Sequence, residues 1–130
     1  MKHLPQTAML ALFLLVSCRE TGNERCAREA EEADRQCPRL IDVNTQIDSI
    51  RYRSEGNKFC YYYSLTGGTD AELKAAVDSP DNRRQTLHSL TNTAEMRYYL
   101  EHGVTFEYVY YSQMTKAPPG VITISPEDYR

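Results

Sequence analysis

The chain has 130 residues, 41 % hydrophobic and 25 % charged, with a formal net charge of −3. That length suits one domain with one modest core and is too short for two. Fifteen basic residues set against eighteen acidic ones, without a basic stripe, disfavour nucleic acid as a partner.

Lys2 and the nine-residue apolar run Ala8–Val16 have the form of an export signal. The run falls well short of the roughly 20 apolar residues of a bilayer-spanning helix. Leu15-Val16-Ser17-Cys18 resembles the lipobox of bacterial lipoproteins. The resemblance implies removal of residues 1–17 and acylation of Cys18, which leaves the chain anchored and not spanning. Arg19 after the cysteine, where Asp is absent, resembles the signal for outer-membrane delivery facing the periplasm. Loss of Lys2 takes the formal charge to −4.

With Cys18 acylated, Cys26, Cys37 and Cys60 remain. Cys26 and Cys37 are too far apart along one helix to bridge, so Cys37 with Cys60 is the candidate disulfide. No pair of cysteines has short metal-ligand spacing, and no metal or other cofactor is expected. Residues 18–37 are polar, and Ala27–Gln36 has helical propensity with little apolar face beyond alanine. They are expected to form a partly helical tether that buries little, ended by Pro38.

The folded domain is expected over residues 38–130. Thr45–Arg53 and Lys58–Leu65 read as a hairpin closed by Ser54–Asn57, with Phe59, Tyr61, Tyr63 and Leu65 sharing the core face and Cys60, Tyr62 and Ser64 the other. Thr69 with Glu72 has capping-box form, and Leu73, Ala76 and Val77 give an apolar stripe ending at Ser79-Pro80. A second helix from about Asn82 carries Leu87 and Leu90, with a restart at Asn92–Glu95 and a left-handed cap at Gly103. Val104–Tyr111 and Val121–Ile124 complete the strands. The expected architecture is α+β: a four-stranded antiparallel sheet in β-β-α-β-β order with helices on one face.

Pro38-Arg-Leu-Ile-Asp42, Thr45-Gln-Ile-Asp48, Gly56-Asn57, Tyr61–Leu65, Asn92–Met96, Leu100–Val104, Tyr108-Val-Tyr110 and Ile122–Tyr129 follow one another in this order. In that order they resemble a widespread family of small bacterial exported and membrane-attached domains of unassigned function. The resemblance covers about 90 residues and implies no catalytic residue. Many members of that family carry a cysteine before the Asn-x-x-Met segment and another at the end. Here Leu90 and Tyr129 stand in their place, and packing of Tyr129 is expected to substitute for the bond.

Ten tyrosines and no tryptophan make the tyrosines the strongest functional signal. Tyr62, Tyr108, Tyr110 and Tyr111 are the candidate binding face, on the expectation that one sheet face is left uncovered. For catalysis, His88, His102, Cys60, Asp42, Asp48 and Glu107 are available but show no nucleophile setting. The sequence therefore points to a lipid-anchored envelope module that binds or supports an assembly, without a reaction of its own. Its expected partners are the membrane, through the anchor, and an envelope protein or glycan. The alternatives are a small thiol-dependent or hydrolytic envelope enzyme, or an inhibitor or immunity lipoprotein.

Overall fold

The computed structural model describes residues 19–130; the expected signal peptide, residues 1–17, and Cys18 lie outside the described residues. The chain runs α1 (Gly22–Asp34), β1 (Arg39–Asp42), β2 (Thr45–Arg53), β3 (Lys58–Leu65), α2 (Asp70–Asp78) and α3 (Pro80–Asn92). A 3-10 turn (Ala94–Met96), α4 (Arg97–Glu101), β4 (Thr105–Ser112), β5 (Gly120–Ile124) and α5 (Pro126–Tyr129) follow.

The sheet has five strands in the order β1-β2-β3-β4-β5, and β3 and β4 are parallel while the other neighbours are antiparallel. This corrects the expected four-stranded antiparallel sheet twice. Arg39–Asp42 forms an edge strand of its own, and the helices return the chain to the end at which β3 began. A parallel pair requires such a crossover. Asn57 marks where the two strands start together. Its amide donates to the His102 carbonyl at 2.9 Å, and its own carbonyl accepts from Thr105 N at 3.0 Å.

Local signals account for the helix limits. Thr69 and Ser79 accept from Glu72 N and Asn82 N, so each hydroxyl satisfies an otherwise unpaired helix N–H. The chain restarts after Asn92 as the 3-10 turn and α4, and Gly103 ends α4 at φ +71°.

One face of the sheet is covered by helices, and there the core gathers Ile47, Ile50, Phe59, Phe106, Ile122 and Ile124 with Val77 and Leu90. α1 belongs to this core. Cys26 is 0 % and Ala30 2 % exposed, because small side chains let the helix lie close on β2. The expectation that residues 18–37 bury little thus fails for the helix, which packs through Cys26, Ala30 and Ala33. Tyr129 packs against the same core and donates to the Val104 carbonyl at 2.8 Å.

Candidate functional site: a tyrosine-floored groove

Alternation along the strands places Phe59, Tyr61 and Tyr63 of β3 on the helix-covered face. Parallel register sets Phe106, Tyr108 and Tyr110 of β4 beside them in that order. The rings stack across the strands: Tyr61 on Tyr108 at 5.1 Å between centroids and 11° between planes, Tyr63 on Tyr110 at 4.9 Å and 15°. Beyond the buried Phe59–Phe106 pair the helices do not close over the sheet, and the tyrosines become the floor of a groove.

The groove consists of two adjoining cavities of about 640 and 330 Å³ that share Ile41, Tyr63 and Met96. α1 and β1 form one wall, with Arg25, Glu29, Arg39 and Ile41. The other wall is Glu95 and Met96, continuing into the polar side of α3 with Asn82, Gln85, Thr86 and Ser89. Among the described residues none of the hydroxyls of Tyr61, Tyr63, Tyr108 and Tyr110 has a hydrogen-bond partner, and none is sealed from solvent. Burial pushes all four phenols above the usual tyrosine value, because the charged form would lose its hydration.

The wall is stiffened at α1. Glu29 accepts from the Tyr99 hydroxyl and pairs with Arg25 at 2.6 Å, while the Arg25 guanidinium lies 3.7 Å above the Tyr98 ring. Arg39 and Glu95, on opposite walls, are exposed and have no ion-pair partner among the described residues.

The four candidate face tyrosines do not share a face. Tyr108 and Tyr110 line the groove, whereas Tyr62 and Tyr111 have the opposite parity and lie on the uncovered face, where Tyr62 accepts from Arg53 at 3.3 Å. Parity against Phe106 already separates Tyr110 from Tyr111. It also groups Tyr61 and Tyr63 with the groove; the sequence reading assigned both to core alone. Ile41 and Met96 left no such signal, since their places in the walls depend on the edge strand and the crossover.

Cys37 and Cys60 are free thiols on opposite sides of the sheet, which corrects the candidate disulfide. Cys37 packs against the core and donates to the Ala33 carbonyl, while Cys60 is buried on the other sheet face between Arg51 and Glu107. Burial raises the Cys26 and Cys37 thiols, which keeps them protonated and weakly nucleophilic.

The catalytic candidates are dispersed. His88 contacts Asn92 on α3, and His102 stacks on Tyr98 at 5.9 Å. Asp42 accepts from Asn44 N, Asp48 accepts from Ser64 and Gln46, and Glu107 pairs with Lys58 at 3.0 Å. Among the described residues no three His, Cys, Asp or Glu side chains are grouped to hold a metal ion.

Fold and groove together define a small α+β domain with an aromatic-floored groove on the helix side of a mixed sheet. The chain belongs to the family described as a domain of unknown function (DUF8479), whose model matches residues 21–118. That span includes α1. No curated protein matches the sequence. Among solved structures the chain is similar to a protein of Pseudomonas aeruginosa described as secreted, with a TM-score of 0.66 and 16 % identity over 86 % of this chain and 99 % of that one. It is also similar to the type 2 secretion system pilotin EpsS of Vibrio vulnificus, with a TM-score of 0.62 and 9 % identity over 84 % and 92 % of the two chains. For the type II secretion system pilotin AspS of Vibrio cholerae the TM-score is 0.59 and the identity 13 %, over 82 % and 91 %. At these identities the likeness establishes the fold.

Proposed function

We propose that this protein is a lipid-anchored, non-catalytic module of the cell envelope that holds a polypeptide segment of a partner protein in the tyrosine-floored groove. The carrying observation is how the four tyrosines are arranged. Each ring spends one face on its neighbour across the strands, so ring edges and hydroxyls make up much of what the groove presents. A glycan platform needs free ring faces for the sugar C–H groups to lie on; ring edges with unpaired hydroxyls suit apolar side chains and peptide carbonyls instead. Ile41 and Met96 add apolar contact, and unbranched methionine adapts to varied partners.

An envelope role fits the fold shared with a protein described as secreted and two type II secretion system pilotins, and the lipobox-like Leu15–Cys18 supplies the anchor. Dispersal of His88, His102, Cys60 and the carboxylates, with the thiols Cys26 and Cys37 held protonated, supports a role without chemistry of its own.

The test is site-specific photo-cross-linking in the native envelope. A cross-linker at Ser89, on the groove wall, should give one adduct whose partner half maps to a single contiguous segment, and Tyr63→Phe with Tyr110→Phe should weaken it. A cross-linker at Tyr111 on the other face should not give that adduct. Equal yield from both faces, or a glycan in place of a peptide, would overturn the reading.

A further inference from the structure

The connection between the lipid site and the fold is too short to act as a tether. Cys18 precedes Glu20 by two residues, and the exposed Glu20 carboxylate pairs with Arg28 of α1 through Nε at 2.8 Å and Nη2 at 3.1 Å. Thr21 closes a capping box, its hydroxyl accepting from Glu24 N at 3.1 Å and its own N–H donating to Glu24 Oε2 at 3.2 Å. Gly22 lies so close to the His102 ring that a β-carbon there would sit 2.3 Å from it. The Tyr52 hydroxyl donates to Asn57 Oδ1 at 2.6 Å and lies 2.9 Å from the Asn23 side-chain amide. Residues 20–23 are thus fastened to one end of the sheet, the end that carries the Ser54–Asn57 turn, His102 and Gly103.

An extended residue spans at most about 3.6 Å, so a lipid-bearing Cys18 lies within about 7 Å of the Glu20 backbone. From this short reach, and resting on the reading of Cys18 as the acylated residue, we infer that the Ser54–Asn57 and His102–Gly103 end of the sheet lies against the lipid headgroups. The groove then opens away from the bilayer, because the floor runs from Tyr61 to Tyr63 and from Tyr108 to Tyr110 in the direction leaving that end.

The distribution of apolar surface agrees. Among the described residues the large hydrophobic side chains most exposed are Val43 and Met114, each 86 % exposed. Val43 is in the β1–β2 turn and Met114 lies two residues past Ser112, the last residue of β4, so both stand at the far end. Leu40 and Ile41 lie on β1 toward that same end. Near the anchor stand Arg53, Glu55, Lys58 and Arg130, charged groups suited to headgroups and unsuited to insertion into hydrocarbon.

The test uses the full lipidated protein in liposomes that carry a headgroup-attached energy acceptor, with a fluorescent amino acid placed at exposed Glu55 or exposed Met114. The eight residues of β4 separate the two ends by about 25 Å. Transfer should be stronger from position 55 than from position 114. Inserting about ten Gly/Ser residues between Arg19 and Glu20 adds a coil of roughly 16–19 Å and should erase the difference while the protein stays bound. Equal transfer from both positions in anchored, uninserted protein overturns the orientation alone. A difference that survives the insertion overturns the short connection as its cause. Protein that fails to float with liposomes removes the lipid-anchor reading, and this inference with it.

Discussion

Leu90→Ala measures whether the crossover helices and the sheet form one core. Leu90 is 3 % exposed on α3, facing the sheet beside the groove. The substitution removes three carbons beyond Cβ, and at about 0.8 kcal/mol each the lost burial is about 2.4 kcal/mol. A sealed void would add a cavity penalty and push the cost toward the upper part of the range of about 2 to 5 kcal/mol for a buried leucine. Leu90 also lines the groove, so the space left behind opens to water, and a cost of about 2.5 kcal/mol is expected. Urea denaturation of the chain from residue 19 onward, read by far-ultraviolet circular dichroism, gives the midpoint and slope. The midpoint should fall with the slope unchanged, and Val43→Ala, in the exposed turn, should shift stability by less than about 0.5 kcal/mol. An unmoved midpoint for Leu90→Ala would refute the assignment of this helix face to the core.

Three further outcomes are expected. Burial holds the phenols of Tyr61, Tyr63, Tyr99, Tyr108 and Tyr110 above the ordinary value of about 10. Their contribution is therefore present below pH about 10 and lost as pH rises through the folded values, so alkaline titration should show late tyrosinate absorbance coupled to unfolding; a single early step for all ten tyrosines would contradict this. Asp34 accepts from Ile50 N at 2.9 Å and pairs with Arg51 at 2.6 Å, which lowers its carboxyl below the usual carboxylate range. Its contribution holds above pH about 4 and is lost below, so the midpoint of Asp34→Asn should depend less on acid pH than that of the parent, and parallel curves would exclude the role. Gly103→Ala forces an L-residue to φ +71° and should cost about 1 to 2 kcal/mol by the same denaturation assay, whereas an unchanged midpoint would show that the backbone relaxes.

Local chemistry was legible in the sequence and sheet topology was not. The Thr69 cap, the Gly103 stop and the 54–57 hairpin follow from short-range rules, and each stands where those rules put it. β1 carries no alternation because all four of its residues are exposed on an edge, so period-2 reading has nothing to detect. The direction of β4 depends on where the helices deliver the chain, a property of their packing that no window of residues encodes. α1 was misread because alanine and cysteine score weakly as apolar, yet Cys26 and Ala30 are among its most deeply packed residues. The tyrosines fell between these cases. Strand parity sorts them into two faces without any structure, but only the incomplete helical cover tells which face holds a groove.

The parallel pairing of β3 and β4 makes that groove possible. An antiparallel pair would set the Phe59 end of one strand against the Tyr110 end of the other and mix sealed and wettable rings at both ends of the sheet. In parallel register the series reads Phe59 with Phe106, Tyr61 with Tyr108, Tyr63 with Tyr110. Phe106 is 0 % and Phe59 3 % exposed, and hydroxyl-bearing rings follow toward the open end. A phenylalanine pair can be buried without a polar cost, whereas an unpaired buried hydroxyl costs about 1 to 3 kcal/mol. The rings that tolerate complete burial thus stand beneath α1 and Tyr99, and those needing water or a partner stand where the helices part. Strand direction, ring polarity and helical cover change together along one axis, and that axis runs from the end that holds Glu20 and Thr21 toward the end that exposes Val43 and Met114.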